Sequence, residues 1–443
     1  MSREHPLQDL ECDQFFAGLD RYRLLLVAVS GGADSTALMH LLARWHQRRS
    51  RASHQLHVAT VDHALRPESR AEAGAVAAAA QSLGLPHHVL TWTAPKPAAG
   101  LQDAARCARY ALLSQLLRDL GETCAAVVTA HTADDQAETL LMRLARGSGL
   151  DGLSAMSACR RLTAGEPYDL VRPLLDVPKS RLIATLRADG IAWSEDPSNA
   201  RTEFERVRIR AAAQTLATLG LTPDKLALSA RRLGRARSAV AITAAEFETR
   251  VLDLNGGTFA AVRRAEFAGA PSELRLRLLL RVLARFGGTS PAARLFKVEA
   301  LLDRLAQAVD FTATLGGCVV MANAASIRIF REPGRNPLPE YLLHDANPVL
   351  WDARFAVSVG GLPAAHGPVT VKALGGLGYA TLRQSTAVRL PQKAAATLPS
   401  FWSGEILLAV PILDPGHQFC QERSVFTFRT EFLGLPDDVR NSD

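Results

Sequence analysis

The stretch that decides the fold is Leu24–Leu42, LLLVAVSGGADSTALMHLL. It opens with an unbroken apolar run, Leu24–Val29, as a strand does when both of its faces are buried. It closes with Leu and Ala at helical spacing across Ser35–His46. Between the two stands Ser30-Gly31-Gly32-Ala33-Asp34-Ser35. The paired glycines let the backbone turn tightly and bring its N–H groups against a ligand with no Cβ in the way. Ser35 and Thr36 open the helix, whose first amides are unpaired donors at the positive end of its dipole. Strand, loop and helix together predict a cradle for phosphate groups. For Asp34 the residues leave two roles open, a phosphate-side magnesium contact or a helix cap.

The same alternation continues beyond this stretch. Leu56–Asp62, His88–Thr93 and Ala125–His131 read as further buried strands. Glu68–Gly84, Leu101–Leu120 and Ala133–Arg146 read as helices between and after them. Strands alternating with helices predict an α/β fold with a doubly wound, Rossmann-like parallel sheet. Ligands in such sheets sit beyond the C-terminal strand ends. Ser30, Asp62 with His63, and His131 each follow directly on an apolar strand.

Near residue 200 the texture changes. Arg201–Arg210 is basic, and residues 211–310 read as mostly helical, with Arg-rich faces at Arg231–Arg237 and Arg275–Arg285. From 311 onward the chain reads β-rich. Phe311–Leu315 and Cys318–Met321 predict a hairpin around Gly316-Gly317, followed by the alternating Ser326–Phe330. Three domains are expected: a catalytic domain over 1–210, a helical region over 211–310, and a β-rich domain over 311–443.

Composition narrows the class. Of 443 residues, 48% are apolar and 21% charged, which predicts packed cores rather than disorder. Lys and Arg number 51 against 44 acids, a formal charge of +7, compatible with a polyanionic partner. The six cysteines are scattered with no Cys-x-x-Cys pair, which argues against a disulfide framework, a zinc ribbon or a cysteine-bound cluster. The N-terminal MSREHPLQDLECDQFF is charged and unlike a secretory signal. The longest apolar runs are too short to span a bilayer. A soluble, cytoplasmic protein with no membrane partner is expected.

The phosphate loop is not a Gly-x-x-x-x-Gly-Lys-Ser/Thr P-loop, so it brings no lysine of its own, and it is not Gly-x-Gly-x-x-Gly either. It resembles the PP-loop of ATP pyrophosphatases, which holds the pyrophosphate released when ATP is cut between its α- and β-phosphates. Further motifs narrow the resemblance: VDHALRPES at 61–69, HTADDQAET at 131–139 and RGSGLDGL at 146–153. So do LQDAAR at 101–106 with Arg109-Tyr110, RPLL at 172–175 and EDPSN at 195–199. In this order, over about residues 22–210, the set is similar to tRNA(Ile)-lysidine synthetase. The resemblance implies ATP and Mg2+ as cofactors, and tRNA(Ile) with a CAU anticodon and free L-lysine as partners. In that family ATP adenylates the C2 oxygen of the wobble cytidine with loss of pyrophosphate. The lysine ε-amine then displaces AMP to give lysidine. A homodimer is left open.

The chemistry of the residues agrees with that reading. Lysine is a cation, and Asp134, Asp135 and Glu138 form an acidic group at a helix start, with 134 and 138 one turn apart. By resemblance Asp135 and Glu138 hold the lysine amines, while Asp134 shares that role or binds magnesium. Adenylation builds negative charge at phosphorus, which suits arginine and magnesium. Arg106 and Arg109 lie three apart on one helix and can face one ligand. His63 and His131 end strands, as nucleotide contacts or as acid/base groups. The catalytic candidates are therefore Asp34, Arg106 and His131. The ATP-binding candidates are Ser30, Gly31, Gly32, Ala33, Asp34, Ser35, Asp62 and His63. For RNA phosphates the candidates are Arg201, Arg206, Arg208, Arg210, Arg231 and Arg232. Residues 311–443, with LPSFWSGEILLAVP at 398–411 similar to the family's terminal strands, are expected to bind tRNA as well.

Three positions depart from the family pattern. His63-Ala64 and His131-Thr132 each lack one histidine of a usual pair, and Val207 stands where asparagine is usual. Other readings are a tRNA thiolase, which usually needs paired cysteines, and an amidotransferase-type ATP pyrophosphatase, for which no glutaminase motif is visible. A non-catalytic tRNA-binding protein with a degenerate loop is a third; the intact loop and acidic group argue against it.

Overall fold

The computed structural model describes residues 5–49, 54–63, 69–97, 100–163, 165–194, 205–307, 310–334, 337–343, 347–360, 368–385, 390–413 and 427–433, without the side chains of 205–207 and 384–385. The chain divides into two compact units, Met1–Ser238 with Ser442–Asp443, and Ala239–Asn441.

The first unit runs α1 (Asp9–Phe16), β1 (Leu24–Ala28), α2 (Ala33–Arg48), β2 (Gln55–Asp62), α3 (Ser69–Ser82), β3 (His87–Thr91), α4 (Leu101–Asp119), β4 (Ala125–Val128) and α5 (Ala133–Ala145). Then come α6 (Leu150–Leu153), β5 (Cys159–Arg161), β6 (Asp169–Val171), α7 (Lys179–Ala188), α8 (Glu205–Ala211), α9 (Ala213–Thr218) and α10 (Pro223–Val251), the last of which runs through the division. The six strands form one sheet in the order β3-β2-β1-β4-β6-β5. Every neighbouring pair is parallel except β5 with β6. The doubly wound parallel sheet is thus present.

Strand β1 shows why its sequence is apolar without alternation. Leu25 and Val27 enter the core built with Ala37, Leu38 and Leu41 of α2 and Leu182 of α7. Leu24 and Leu26 point the other way, against Leu113 and Leu117 of α4. Successive strand residues alternate faces, and helices cover both. The chain leaves β1 outward through β2 and β3, then returns to place β4 on the other side of β1. The loops after β1 and β4 therefore diverge at this switch point, the place where ligands bind in such sheets. Strands β1 and β4 stop sooner than their apolar runs suggest, at Ala28 and Val128. Past them, Val29 and Thr129 each donate one more backbone bond, to Ala59 and Val171, before the chain turns into a helix.

The second unit continues with β7 (Leu252–Asp253), β8 (Ala260–Arg263), α11 (Arg264–Ala268), α12 (Ser272–Phe286), α13 (Leu295–Gln307), β9 (Phe311–Leu315), β10 (Cys318–Ala322) and β11 (Ser326–Arg331). The hairpin around Gly316-Gly317 forms, with Leu315 opposite Cys318 and Phe311 opposite Ala322. The sheet β7-β8-β11-β10-β9 packs Val320, Ile327 and Ile329 against Leu279, Val282 and Phe286 of α12 and Val298 of α13. Two strands from the largely helical stretch thus share a sheet with strands after 310.

The rest is β12 (Tyr341–Leu343), β13 (Val349–Trp351), β14 (Phe355–Gly360), β15 (Val369–Ala373), α14 (Gly375–Ser385), α15 (Gln392–Ala395), β16 (Pro399–Ser403), β17 (Ile406–Ala409) and β18 (Thr427–Phe432). These strands make two small sheets, β12-β15-β16-β17 and β13-β14-β18, which share a core around Trp351, Phe355, Val371 and Phe401. Among the described residues no helix is long and apolar enough to cross a membrane.

Candidate functional site

The loop after β1 is held open by its own side chains. Gly31 sits at φ +87°, in the left-handed region that favours glycine. Gly32 precedes α2 with no side-chain cap, so the helix presents its first-turn amides to the loop. The Ser35 hydroxyl accepts from the Ser30 amide at 3.2 Å and donates to the Gly32 carbonyl at 3.0 Å. Its oxygen lies 3.3 Å from the Ser30 hydroxyl. Thr36 donates to the Gly31 carbonyl at 3.2 Å, and the Ser194 amide reaches the same carbonyl at 2.9 Å. Ala33 is buried under the first turn. The result is a concave backbone shape suited to an anion.

Asp34 points from that turn to Lys179, the first residue of α7, whose Nζ lies 2.6 Å from Asp34 Oδ2. Asp34 Oδ1 is buried and has no hydrogen-bond partner. Burial is the main influence on this carboxyl and pushes its pKa up. Lys179 opposes the rise, while Asp135 and Asp134 add to it. The sequence offers no motif that includes Lys179. Its only signals are the matched Arg172–Leu175 segment just upstream and Pro178 at the helix start.

The acidic group on α5 divides its work. Asp134 Oδ2 accepts the Lys179 backbone amide at 2.8 Å and so seats the N-terminus of α7. Asp135 Oδ2 accepts from the Thr132 amide and hydroxyl, both at 2.9 Å, as half of a capping box. Thr132, in place of the family's second histidine, is thus the cap of α5. Glu138 lies one turn further in, and Arg210 of α8 grips it. Arg210 Nε is 2.5 Å from Oε1, and an Nη is 3.2 Å from Oε2. Asp135 Oδ1 stands 4.0 Å from the same guanidinium. His131, ahead of the cap, exchanges a 2.9 Å hydrogen bond with Thr129 through Nδ1.

A second group gathers beyond β2 and on the early turns of α4. Asp62 Oδ1 accepts from Ser69 at 2.7 Å. His63 Nε2 is 3.3 Å from an Nη of Arg109, and its ring meets Trp92 edge-on. Burial, then the Arg109 charge, pulls the His63 pKa down, which favours the neutral ring. The buried Nη2 of Arg106 has no protein partner, and its guanidinium lies over Tyr110. Both Arg106 and His63 thus keep a buried nitrogen available to a ligand.

Of the arginines expected to meet RNA, Arg208 is exposed on α8, and Arg232 is exposed on α10. Arg231 makes an exposed pair with Asp176 at 3.1 Å. Among the described candidates, Arg210 turns to the acidic group. Arg201, the Arg206 side chain, Ala64, the Val207 side chain and the Glu195–Asn199 segment lie outside the described residues.

An open phosphate loop at the switch point of a parallel sheet, without a P-loop lysine, makes this a PP-loop protein. A family model described as the PP-loop domain matches residues 7–216. A tRNA(Ile)-lysidine synthase of a Bradyrhizobium species is 44% identical over 75% of this chain and 97% of its own. That of Bradyrhizobium diazoefficiens is 48% identical over 69% and 84%, and that of Ruegeria pomeroyi 41% identical over 88% of each. The chain belongs to the tRNA(Ile)-lysidine synthase family.

Proposed function

We propose that the protein is a ligase that joins free L-lysine to C2 of the wobble cytidine of tRNA(Ile) with a CAU anticodon, consuming ATP to AMP and pyrophosphate. One observation carries the reading: the phosphate loop after β1 and the carboxylates after β4 meet at Lys179, whose Nζ lies 2.6 Å from Asp34 Oδ2 and whose amide lies 2.8 Å from Asp134 Oδ2. Their charges are close enough that Asp134 and Asp135 perturb Asp34. Nucleotide and amine would therefore meet where the cytidine must enter. The Ser30–Ser35 loop and the α2 amides take the pyrophosphate. Lys179, from the neighbouring helix, supplies the positive charge that the loop lacks. Arg106, with the neutral His63 and Arg109 nearby, stabilises charge at the α-phosphate. Asp135 and Glu138 hold the lysine ammonium groups, and His131 stands at the strand end nearest them.

No cluster of three metal-ligating side chains occurs among the described residues. Magnesium commonly takes only one or two carboxylates plus substrate phosphates. The orphaned Asp34 Oδ1 fits that role, and Mg2+ held there would neutralise phosphate charge. The family supports work in the cytoplasm.

The test is to incubate the protein with ATP, radiolabelled lysine and tRNA(Ile) bearing CAU. Label should enter the tRNA in step with release of AMP and pyrophosphate. No transfer, with the same tRNA active in a positive control, would sink the reading.

A further inference from the structure

The carboxylate oxygens of the acidic group are largely engaged. One oxygen of Asp134 seats α7, and one of Asp135 caps α5. Asp135 Oδ1 and the Glu138 carboxylate are turned toward a cation, and among the described side chains that cation is Arg210. A guanidinium across both oxygens of a carboxylate is the strong, fork-shaped form of ion pair. Burial works against the Arg210 charge, but Glu138, with Asp135 and Asp34 behind it, outweighs this and holds its pKa above the ordinary value. The Glu138 side chain is 9% exposed, whereas that of Arg210 is 44% exposed. The anion is fixed in the wall and the cation is free to withdraw into water.

We propose that Arg210 is the resting occupant of the amine site, and that lysine enters as Arg210 leaves for a phosphate of the bound RNA. This rests on the ligase reading above. A buried carboxylate stripped of its cation is costly, so Glu138 always needs a positive partner. Arg210 serves at rest, and the substrate ammonium serves in the loaded enzyme. The exchange conserves charge, one guanidinium out and one ammonium in. A released guanidinium is well shaped for phosphate, and Arg208 sits on the same short helix, exposed. RNA therefore lowers the cost of vacating the site, and by linkage lysine raises RNA affinity by the same factor. Lysine is held weakly until its acceptor is in place.

The test is equilibrium dialysis of radiolabelled lysine against the full-length protein without ATP, with and without tRNA(Ile) bearing CAU. For the unaltered protein, tRNA should tighten lysine binding about tenfold. Arg210→Met should bind lysine without tRNA about as tightly as the unaltered protein does with it, and tRNA should then add little. A second variant reads the other half of the exchange. Glu138→Gln loosens Arg210, so its plot of log affinity for tRNA against log salt should steepen by about one counterion, while lysine binding is lost. The proposal is overturned if Arg210→Met binds lysine no more tightly than the unaltered protein without tRNA, undetectable binding included. An unchanged salt slope in Glu138→Gln overturns it too. If the unaltered protein makes no lysidine, the ligase reading itself falls. If it makes lysidine and these shifts are missing, only the exchange falls.

Discussion

Two sets of ion pairs in this chain place sheltered carboxylates against cations in opposite surroundings. In the second unit Asp352 is gripped by Arg331 through Nε at 2.8 Å and Nη2 at 3.2 Å, and by Arg354 Nε at 2.8 Å. Asp352 and Arg354 are fully buried. Arg354 also donates to the Thr397 carbonyl and lies over the Phe355 ring. Burial pulls the Arg354 pKa down to about 10, against the pull of Asp352. Water cannot reach this cluster, so its charges can only hold strands together. In the first unit, Asp34–Lys179 and Glu138–Arg210 pair a sheltered carboxylate with a cation more than 40% exposed. Those cations reach water, so they stay open to a ligand. Burial of the cation, not residue type, separates a rivet from a site.

The largest expected effect tests the rivet. Asp352→Ala leaves two sheltered guanidinium groups without their anion and should cost about 3–5 kcal/mol in urea unfolding. A loss below 1 kcal/mol would mean that water reaches the cluster and the contrast fails. Next, Lys179→Ala should lower kcat about 100-fold with its melting temperature nearly unchanged. A matching fall in stability would make Lys179 a rivet too. Gly31→Ala should cost about 1–2 kcal/mol through its positive φ. Space is not the limit there, since an added Cβ meets Val76 only at 3.5 Å, so relief by Gly31→Asn would sharpen the point.

Arg208→Ala should weaken tRNA binding and reduce the log–log salt slope by about one, with lysine affinity in the absence of RNA unmoved. Smallest is a pH effect. Burial raises the Asp34 pKa above the ordinary 3.8, so the folded protein binds the extra proton in the window just above that value. Stability should therefore fall as pH rises through it. Thermal melts of Asp34→Asn across pH 3.5–6 should show a shallower fall than those of the unaltered protein, and identical curves would remove the burial argument.

Much of the first unit was legible because burial on two faces leaves a local mark. Leu24–Val29 is apolar without a break, and the helices following it carry one apolar face. The Ser30–Ser35 loop was legible because a backbone cradle suited to an anion needs glycine in series, where it can be seen. The acidic group was legible as a set, but not its division of labour. Which oxygen of Asp134 or Asp135 is spent on a helix end depends on where α7 and Thr132 come to rest. The mixed sheet of the second unit was less legible, because Leu252–Asp253 and Ala260–Arg263 are short strands inside a stretch whose spacing is helical.

The sequence by itself determined the alternation of strand and helix, the glycine-rich loop without a lysine, and the presence of three carboxylates within about one helical turn. These are properties of neighbouring residues, written as unbroken apolar runs, glycines in series and helical spacing. The tertiary structure alone decided that Lys179 meets Asp34 across 145 positions and that Arg210 meets Glu138 across 72. A cation's partner is set by which helices the sheet brings side by side, and no local spacing encodes that.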